Sequence, residues 1–138
     1  MPRKTDSNSP ADWLFIAASD LEGVQLLANR EVGYSMCRSK LAEILEKVLK
    51  AELIRLGWFL QKTHDLEKLA SELLAQNSDL VPIAKPLCIA LAEVYFSDRY
   101  PGFDLEDPNW PDFRTKLETV SGLLATVKAR VTGLVGES

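Results

Sequence analysis

The sequence predicts an all-α fold, an up-and-down four-helix bundle with one further short helix. Apolar residues recur every three or four positions in five segments, and no segment alternates apolar and polar residues for long enough to indicate a strand. Short connections between such segments favour antiparallel packing of neighbouring helices. The chain has 138 residues, of which 46% are hydrophobic and 26% charged, as in one ordinary globular domain. We therefore expect a single domain over residues 9–138, preceded by a disordered tail over residues 1–8.

The first two helices have clear ends in the sequence. Ser9 is a favoured capping residue, and Pro10 suits the first helical position. The first helix should therefore begin there and end where residues 29–33 interrupt the apolar pattern. The second helix is expected over residues 34–56, with Gly57 as its C-terminal stop.

The polar residues of the second helix form two pairs with i,i+4 spacing, Glu43 with Lys47 and Glu46 with Lys50. They lie opposite the broad apolar face of the same helix. We therefore expect Lys47 and Lys50 on a solvated face.

The later helices are predicted from capping residues and prolines. Thr63 is expected to cap a short third helix, with Asp65 in the first turn, where a carboxylate is favourable. Asn77, Ser78, Pro82 and Pro86 are expected to delay the fourth helix. The last helix should begin at Pro111, and its apolar seam is regular enough to extend into a dimer contact.

Composition excludes several classes of function. The net charge of −4 argues against a surface that coats nucleic acid, although a basic patch over residues 38–68 remains possible. Cys37 and Cys88 lie in apolar segments without metal-ligand spacing, so we expect two buried, reduced thiols and neither a metal site nor a cofactor. No apolar run approaches the ~20 residues of a membrane span, which favours a cytoplasmic protein without membrane contact.

Three motifs and a glycine together carry a family resemblance. Residues 41–51 read Leu-Ala-Glu-Ile-Leu-Glu-Lys-Val-Leu-Lys-Ala and are followed by Gly57, residues 62–66 read Lys-Thr-His-Asp-Leu, and residues 99–101 read Arg-Tyr-Pro. In order and approximate spacing they resemble the HEPN domain family, and the resemblance extends over residues 11–135. Each motif is weak alone, and the combination carries the resemblance.

The resemblance implies a helical bundle that is commonly a homodimer. Such proteins are often encoded beside a minimal nucleotidyltransferase, with which they form a toxin–antitoxin-like two-component system. Members bind nucleotides or RNA, and many are metal-independent ribonucleases that carry an arginine followed four to six residues later by a histidine.

This sequence departs from the nuclease pattern. Its one histidine, His64, is separated from Arg55 by eight residues, and Gly57 interrupts the helix between them. Arg99 is followed by Tyr100 and a proline, with no histidine. The resemblance therefore implies no catalytic residues in this chain.

The candidate ligand-binding residues are Lys62, His64, Asp65, Arg99 and Tyr100, which we expect near the end of the bundle. His64 is suited to a phosphate contact. Arg99 could bind a phosphate through its guanidinium, and Tyr100 could add a hydrogen bond or a stacking surface for a nucleobase. Structural roles compete for each: His64 donating to a carboxylate, Asp65 stabilising a first turn, Arg99 fixing a helix end and Tyr100 closing the bundle.

The leading hypothesis is a non-catalytic module that binds a nucleotide, or a minimal nucleotidyltransferase of which it is the companion subunit. The alternative is a ribonuclease toxin in which folding brings an arginine to His64. RNA remains a candidate ligand under both hypotheses.

Overall fold

The computed structural model describes residues 7–92 and 107–136 and shows an all-α protein. Within these ranges there is no strand, so the predicted fold class is confirmed. No helix in them is long and apolar enough to cross a membrane. The helices are α1 (Pro10–Arg30), α2 (Tyr34–Arg55), α3 (Leu66–Ala75), α4 (Val81–Ala92) and α5 (Trp110–Gly136).

The central element is α2, which packs against each of the other four helices. A helix surrounded in this way buries more than one face, and this explains why twelve of its residues are buried. Its fully enclosed apolar residues form the middle of the core: Leu41, Ile44, Leu45, Val48, Leu49 and Leu53.

Contacts at the helix ends fix the directions of the long helices. Near the start of α1, Trp13 lies beside Lys50 near the end of α2. At the end of α1, Glu31 forms an ion pair with Arg114 at the start of α5. Consequently α1 runs antiparallel to both α2 and α5, as an up-and-down bundle requires.

The hairpin of α3 and α4 packs on the remaining side of α2. Its helices are joined by residues 76–80, and the two enclose a groove between them. Cys88 lies at this groove and is buried, and Cys37 is buried at the start of α2. Both thiols are therefore placed as predicted.

The start of α1 is fixed by Ser7 rather than by Ser9. Ser9 occupies the capping position without making a side-chain capping bond. Ser7 donates from Oγ to Asp12 Oδ2 at 2.7 Å, and Trp13 Nε1 donates to the Ser7 carbonyl at 2.7 Å. Ser7 is buried by these contacts, although it falls within the tail expected over residues 1–8.

The cap of α3 is Asp65, so the prediction of Thr63 was wrong. Asp65 Oδ1 accepts from the backbone N–H groups of Glu67 at 3.0 Å and Lys68 at 3.2 Å. Thr63 Oγ1 instead accepts from the Asp65 N–H at 3.1 Å. Both residue types can cap, and the aspartate is the one directly before the first apolar helical residue, Leu66.

The prolines of α4 do not delay it, contrary to the sequence prediction. The helix begins at Val81, with Pro82 in its first turn, where a missing N–H has no intrahelical partner to lose. Pro86 lies inside the helix. Similarly, α5 begins at Trp110, one residue before the predicted start.

Candidate ligand-binding site

A buried ion pair lies on α2 where the sequence predicted a solvated face. Lys50 Nζ donates to Glu46 Oε2 at 3.0 Å, one turn apart. The exposed fractions are only 3% for Lys50 and 4% for Glu46. The ammonium also lies 5.1 Å from the centre of the Trp13 ring, within the range of a cation–π interaction. The predicted pair therefore forms, but Lys50 is not solvated.

His64 joins this pair from the segment between α2 and α3. Its Nδ1 lies 3.0 Å from Glu46 Oε1 and 3.2 Å from Oε2. A hydrogen bond from the ring to an ionised carboxylate, which can only accept, requires the tautomer with hydrogen on Nδ1. The ring is 71% exposed. The Glu46 carboxylate thus lies within hydrogen-bond distance of His64, as the structural role considered for this residue requires.

A cavity of about 360 Å³ opens over the pair. Its charged and titratable walls are three lysines, one carboxylate and the imidazole, so positive charge prevails. Lys47 and Lys62 form no ion pair with any described residue, and both can therefore turn toward a ligand. The lining residues are Trp13, Ile16, Glu46, Lys47, Lys50, Leu60, Gln61, Lys62 and His64.

The cavity lies on the flank of the second half of α2, and the location of a ligand site near the end of the bundle stays a prediction. His64 contacts Glu46, which is nine residues before Arg55 at the end of α2, a distance of about 13 Å along the helix axis. The segment from Gly57 to His64 therefore runs back along α2. Gly57 has a φ of +99°, which suits the reversal at the helix end.

The structure brings together two of the five candidate residues predicted from the sequence. Lys62 and His64 line the cavity. Asp65 is adjacent, with its carboxylate engaged in capping α3. Arg99 and Tyr100 lie outside the described residues.

A second charge network lies toward the end of α2 and is centred on the buried carboxylate of Glu52. Arg55 donates to Glu52 through Nε at 2.7 Å and Nη2 at 3.1 Å, and Arg130 Nη1 donates to Glu52 Oε2 at 2.6 Å. Arg130 Nη2 reaches Asp79 at 2.7 Å. This hydrogen bond is the main cause that holds the pKa of Asp79 below its usual value. The network joins α2 and α5 to the turn between α3 and α4.

Comparison with known proteins places the chain in a family. The sequence model of the HEPN domain matches residues 10–130, which is most of the chain. This protein belongs to the HEPN domain family. Neither the curated proteins nor the solved structures contain a significant match. The resemblance stated from the motifs is thus confirmed at the level of the domain.

The pairing of an arginine with a histidine, expected of a HEPN nuclease, is not seen in the described part of this HEPN domain. No arginine from residues 7–92 or 107–136 lines the cavity beside His64. Arg55 is instead held by Glu52, which also binds Arg130. Those same ranges contain no group of three His, Cys, Asp or Glu residues that could hold a metal ion.

Sequence reasoning missed Glu46, Lys50 and Trp13 as cavity residues. The overlooked signal is the pair Ala42 and Ala51, small residues that interrupt the polar side of α2. Small residues there permit close approach of a neighbouring helix, which indicates burial of that side as well.

Proposed function

We propose that this HEPN domain is a non-catalytic binding module that takes a phosphate-bearing ligand of the nucleotide class in the flank cavity. The observation that carries the proposal is the excess of lysine over carboxylate around one cavity. Lysine ammonium groups bind phosphate as point charges, and a half-enclosed cavity strengthens this attraction relative to open solvent.

The buried pair supports the proposal by presenting a fixed charge. Lys50 has three N–H donors, of which one is used by Glu46, and its charge also faces the Trp13 ring. Glu46 in turn orients the His64 ring. Lys47 and Lys62 stand at the cavity wall as the more accessible cations. A bound phosphate would therefore contact the fixed ammonium of Lys50 and the more mobile ammonium groups of Lys47 and Lys62.

Titration calorimetry with inorganic phosphate, AMP, ATP and a short single-stranded RNA tests the proposal. The double variant Lys47→Glu/Lys62→Glu should weaken nucleotide binding at least tenfold, since it replaces two attractive charges with repulsive ones. Lys85→Glu is the matched control, because this exposed lysine lies on α4 at the other groove. Absence of heat with every probe, or equal losses in control and double variant, would refute the proposal.

The proposed site also includes Arg99 and Tyr100, which the sequence predicts to contribute. Arg99→Ala and Tyr100→Phe should then lower affinity for the same nucleotides. Wild-type affinity in both variants would remove these residues from the site.

A minimal nucleotidyltransferase is the protein partner that we propose for this module. Its nucleotide substrate or product has the ligand chemistry of the cavity. Co-expression with a nucleotidyltransferase encoded next to this gene, followed by co-elution, tests the association. Separate elution of the two proteins with and without nucleotide would contradict it.

The Glu46–His64 contact favours a ribonuclease toxin as the second candidate. A carboxylate that holds Nδ1 of a histidine is an arrangement used in general acid–base catalysis. Expression of the chain alone should then arrest growth, and His64→Ala should relieve the arrest. Growth at wild-type rate during ample expression would exclude the toxin.

A further inference from the structure

The segment that follows α2 holds one aromatic side chain in water. Phe59 is 86% exposed, more than any other large apolar side chain in residues 7–92 and 107–136. Its neighbours in the chain turn inward, because Trp58 is only 8% exposed and Leu60 packs against the core. Successive side chains of extended backbone point in opposite directions, so the inward packing of Trp58 and Leu60 sets Phe59 on the outside. The position of the exposed ring is therefore fixed by the fold.

Phe59 directly precedes one wall of the flank cavity. The residues of this wall that follow it in the chain are Leu60, Gln61, Lys62 and His64. Lys62 is three residues after Phe59, so their Cα atoms are at most about 11 Å apart. An exposed aromatic ring is thus within one ligand's length of a cavity in which lysine is the main charged group.

Trp13 also lines the cavity, but its ring is already engaged. Its Nε1 donates to the Ser7 carbonyl at 2.7 Å, and the Lys50 ammonium lies 5.1 Å from the ring centre. Only 8% of Trp13 is exposed. Phe59, in contrast, makes no ring contact with another residue of the described ranges. A flat ligand can therefore stack on Phe59, whereas Trp13 offers it no free face.

The neighbours of Phe59 distinguish a stacking residue from a protein-docking surface. Docking surfaces are contiguous apolar patches. The exposed residues nearest to Phe59 in the chain are Gly57, Gln61 and Lys62, none of which is a large apolar residue. Proteins that bind single-stranded nucleic acids combine isolated aromatic rings, on which bases stack, with cations that hold the phosphates. A single exposed ring beside lysines matches that combination.

We infer that Phe59 is the residue on which the base of a bound nucleotide stacks while its phosphate lies among Lys47, Lys50 and Lys62. The inference rests on the proposed function and adds to it the residue that contacts the base. A nucleotide carries an anion and a flat aromatic ring joined by one sugar, and this chain presents the two complementary groups close together. Because every base has a π face, stacking on Phe59 favours nucleotides over base-free phosphates without selecting one base.

Titration calorimetry with AMP and with ribose 5-phosphate, which is AMP without its base, tests the inference. Phe59→Ser should weaken AMP binding about tenfold, the loss typical of one stacked base, and leave ribose 5-phosphate binding unchanged. Phe59→Leu is apolar without a π face and should also weaken AMP binding, whereas Phe59→Trp should bind AMP at least as tightly as the wild type. Phe15→Ser is the matched control, because Phe15 is exposed on α1 at a different cavity. Circular dichroism verifies that each variant is folded.

The outcomes separate this inference from the proposed function. Equal AMP affinity in the wild type and in Phe59→Ser would overturn the inference and leave nucleotide binding in the flank cavity intact. Equal losses of AMP and ribose 5-phosphate affinity would also overturn it, because the ring would then support the cavity rather than contact the base. Absence of heat with AMP in the wild-type chain would overturn the inference, and the same absence with inorganic phosphate, ATP and RNA would refute the proposed function as well.

Discussion

Arg130 on α5 and Glu52 on α2 are 78 residues apart in the chain and meet in a hydrogen bond of 2.6 Å. The Glu52 side chain is fully enclosed, and Arg55 binds the same carboxylate from its own helix. Two guanidinium groups on one buried carboxylate compensate for its loss of hydration. Because Arg130 also binds Asp79, this contact connects three parts of the fold.

Arg130→Met should lower the free energy of unfolding by about 1–3 kcal/mol, because Glu52 stays buried with one cation fewer. Urea denaturation measures the change. Arg114→Met is the matched control: its ion pair with Glu31 is exposed on both sides, and its removal should cost less than about 1 kcal/mol. Equal losses in the two variants would contradict the structural role of Arg130.

The contribution of Asp79 to the free energy of unfolding should depend on pH. Its pKa is lowered from the usual 3.8, mainly by the hydrogen bond from Arg130, so the ionised form is favoured in the folded state. The stabilisation is present above the unfolded-state pKa and is lost as pH falls through the lower folded-state value.

The difference in unfolding free energy between wild type and Asp79→Asn should therefore be constant from about pH 5 to 8 and decrease in more acidic solution. In an Arg130→Met background the same substitution should show no such decrease. A difference that grows in acid would contradict the assignment.

The buried pair Glu46–Lys50 should behave as one unit. Lys50→Met leaves an almost fully buried carboxylate without its lysine partner, and Glu46→Gln leaves an almost fully buried ammonium without its carboxylate, so each should cost roughly 3 kcal/mol. The double variant should cost less than the sum of the two, with a coupling energy of about 1–3 kcal/mol in a double-mutant cycle. Additive losses would show that the two groups do not interact.

This pair also shows where sequence reasoning reaches its limit. The i,i+4 spacing of Glu46 and Lys50 predicted their ion pair correctly, because that contact depends only on helix geometry. Their burial depends on Trp13 and on the segment containing His64, which fold over the polar side of α2. Periodicity within one helix contains no information about such neighbours.

Helix types and order were predictable, and helix starts less so. The five helices of the described residues follow from apolar spacing, and Gly57 marks the end of α2 as expected. At α3, Thr63 and Asp65 are both favoured capping residues. Which of them caps the helix depends on the backbone conformation before Leu66. At α4, the position of Pro82 within the first turn decides whether it interrupts or begins a helix.

Asp65→Ala should destabilise the protein by about 1 kcal/mol, since two backbone N–H groups at the start of α3 lose their acceptor. Thr63→Ala removes one acceptor in an exposed turn and should cost less. Thermal denaturation of both variants measures the difference. A larger loss from Thr63→Ala would contradict the assignment of the cap.

The two thiols give this chain internal reporters of local opening. Burial, with smaller contributions from Glu67 and Asp65, raises the pKa of Cys88 to about 12, and burial also raises the pKa of Cys37. Neither sulfur reacts with an alkylating reagent until its surroundings separate. The alkylation rate of Cys88 therefore reports opening around the groove between α3 and α4, and that of Cys37 reports opening at the start of α2.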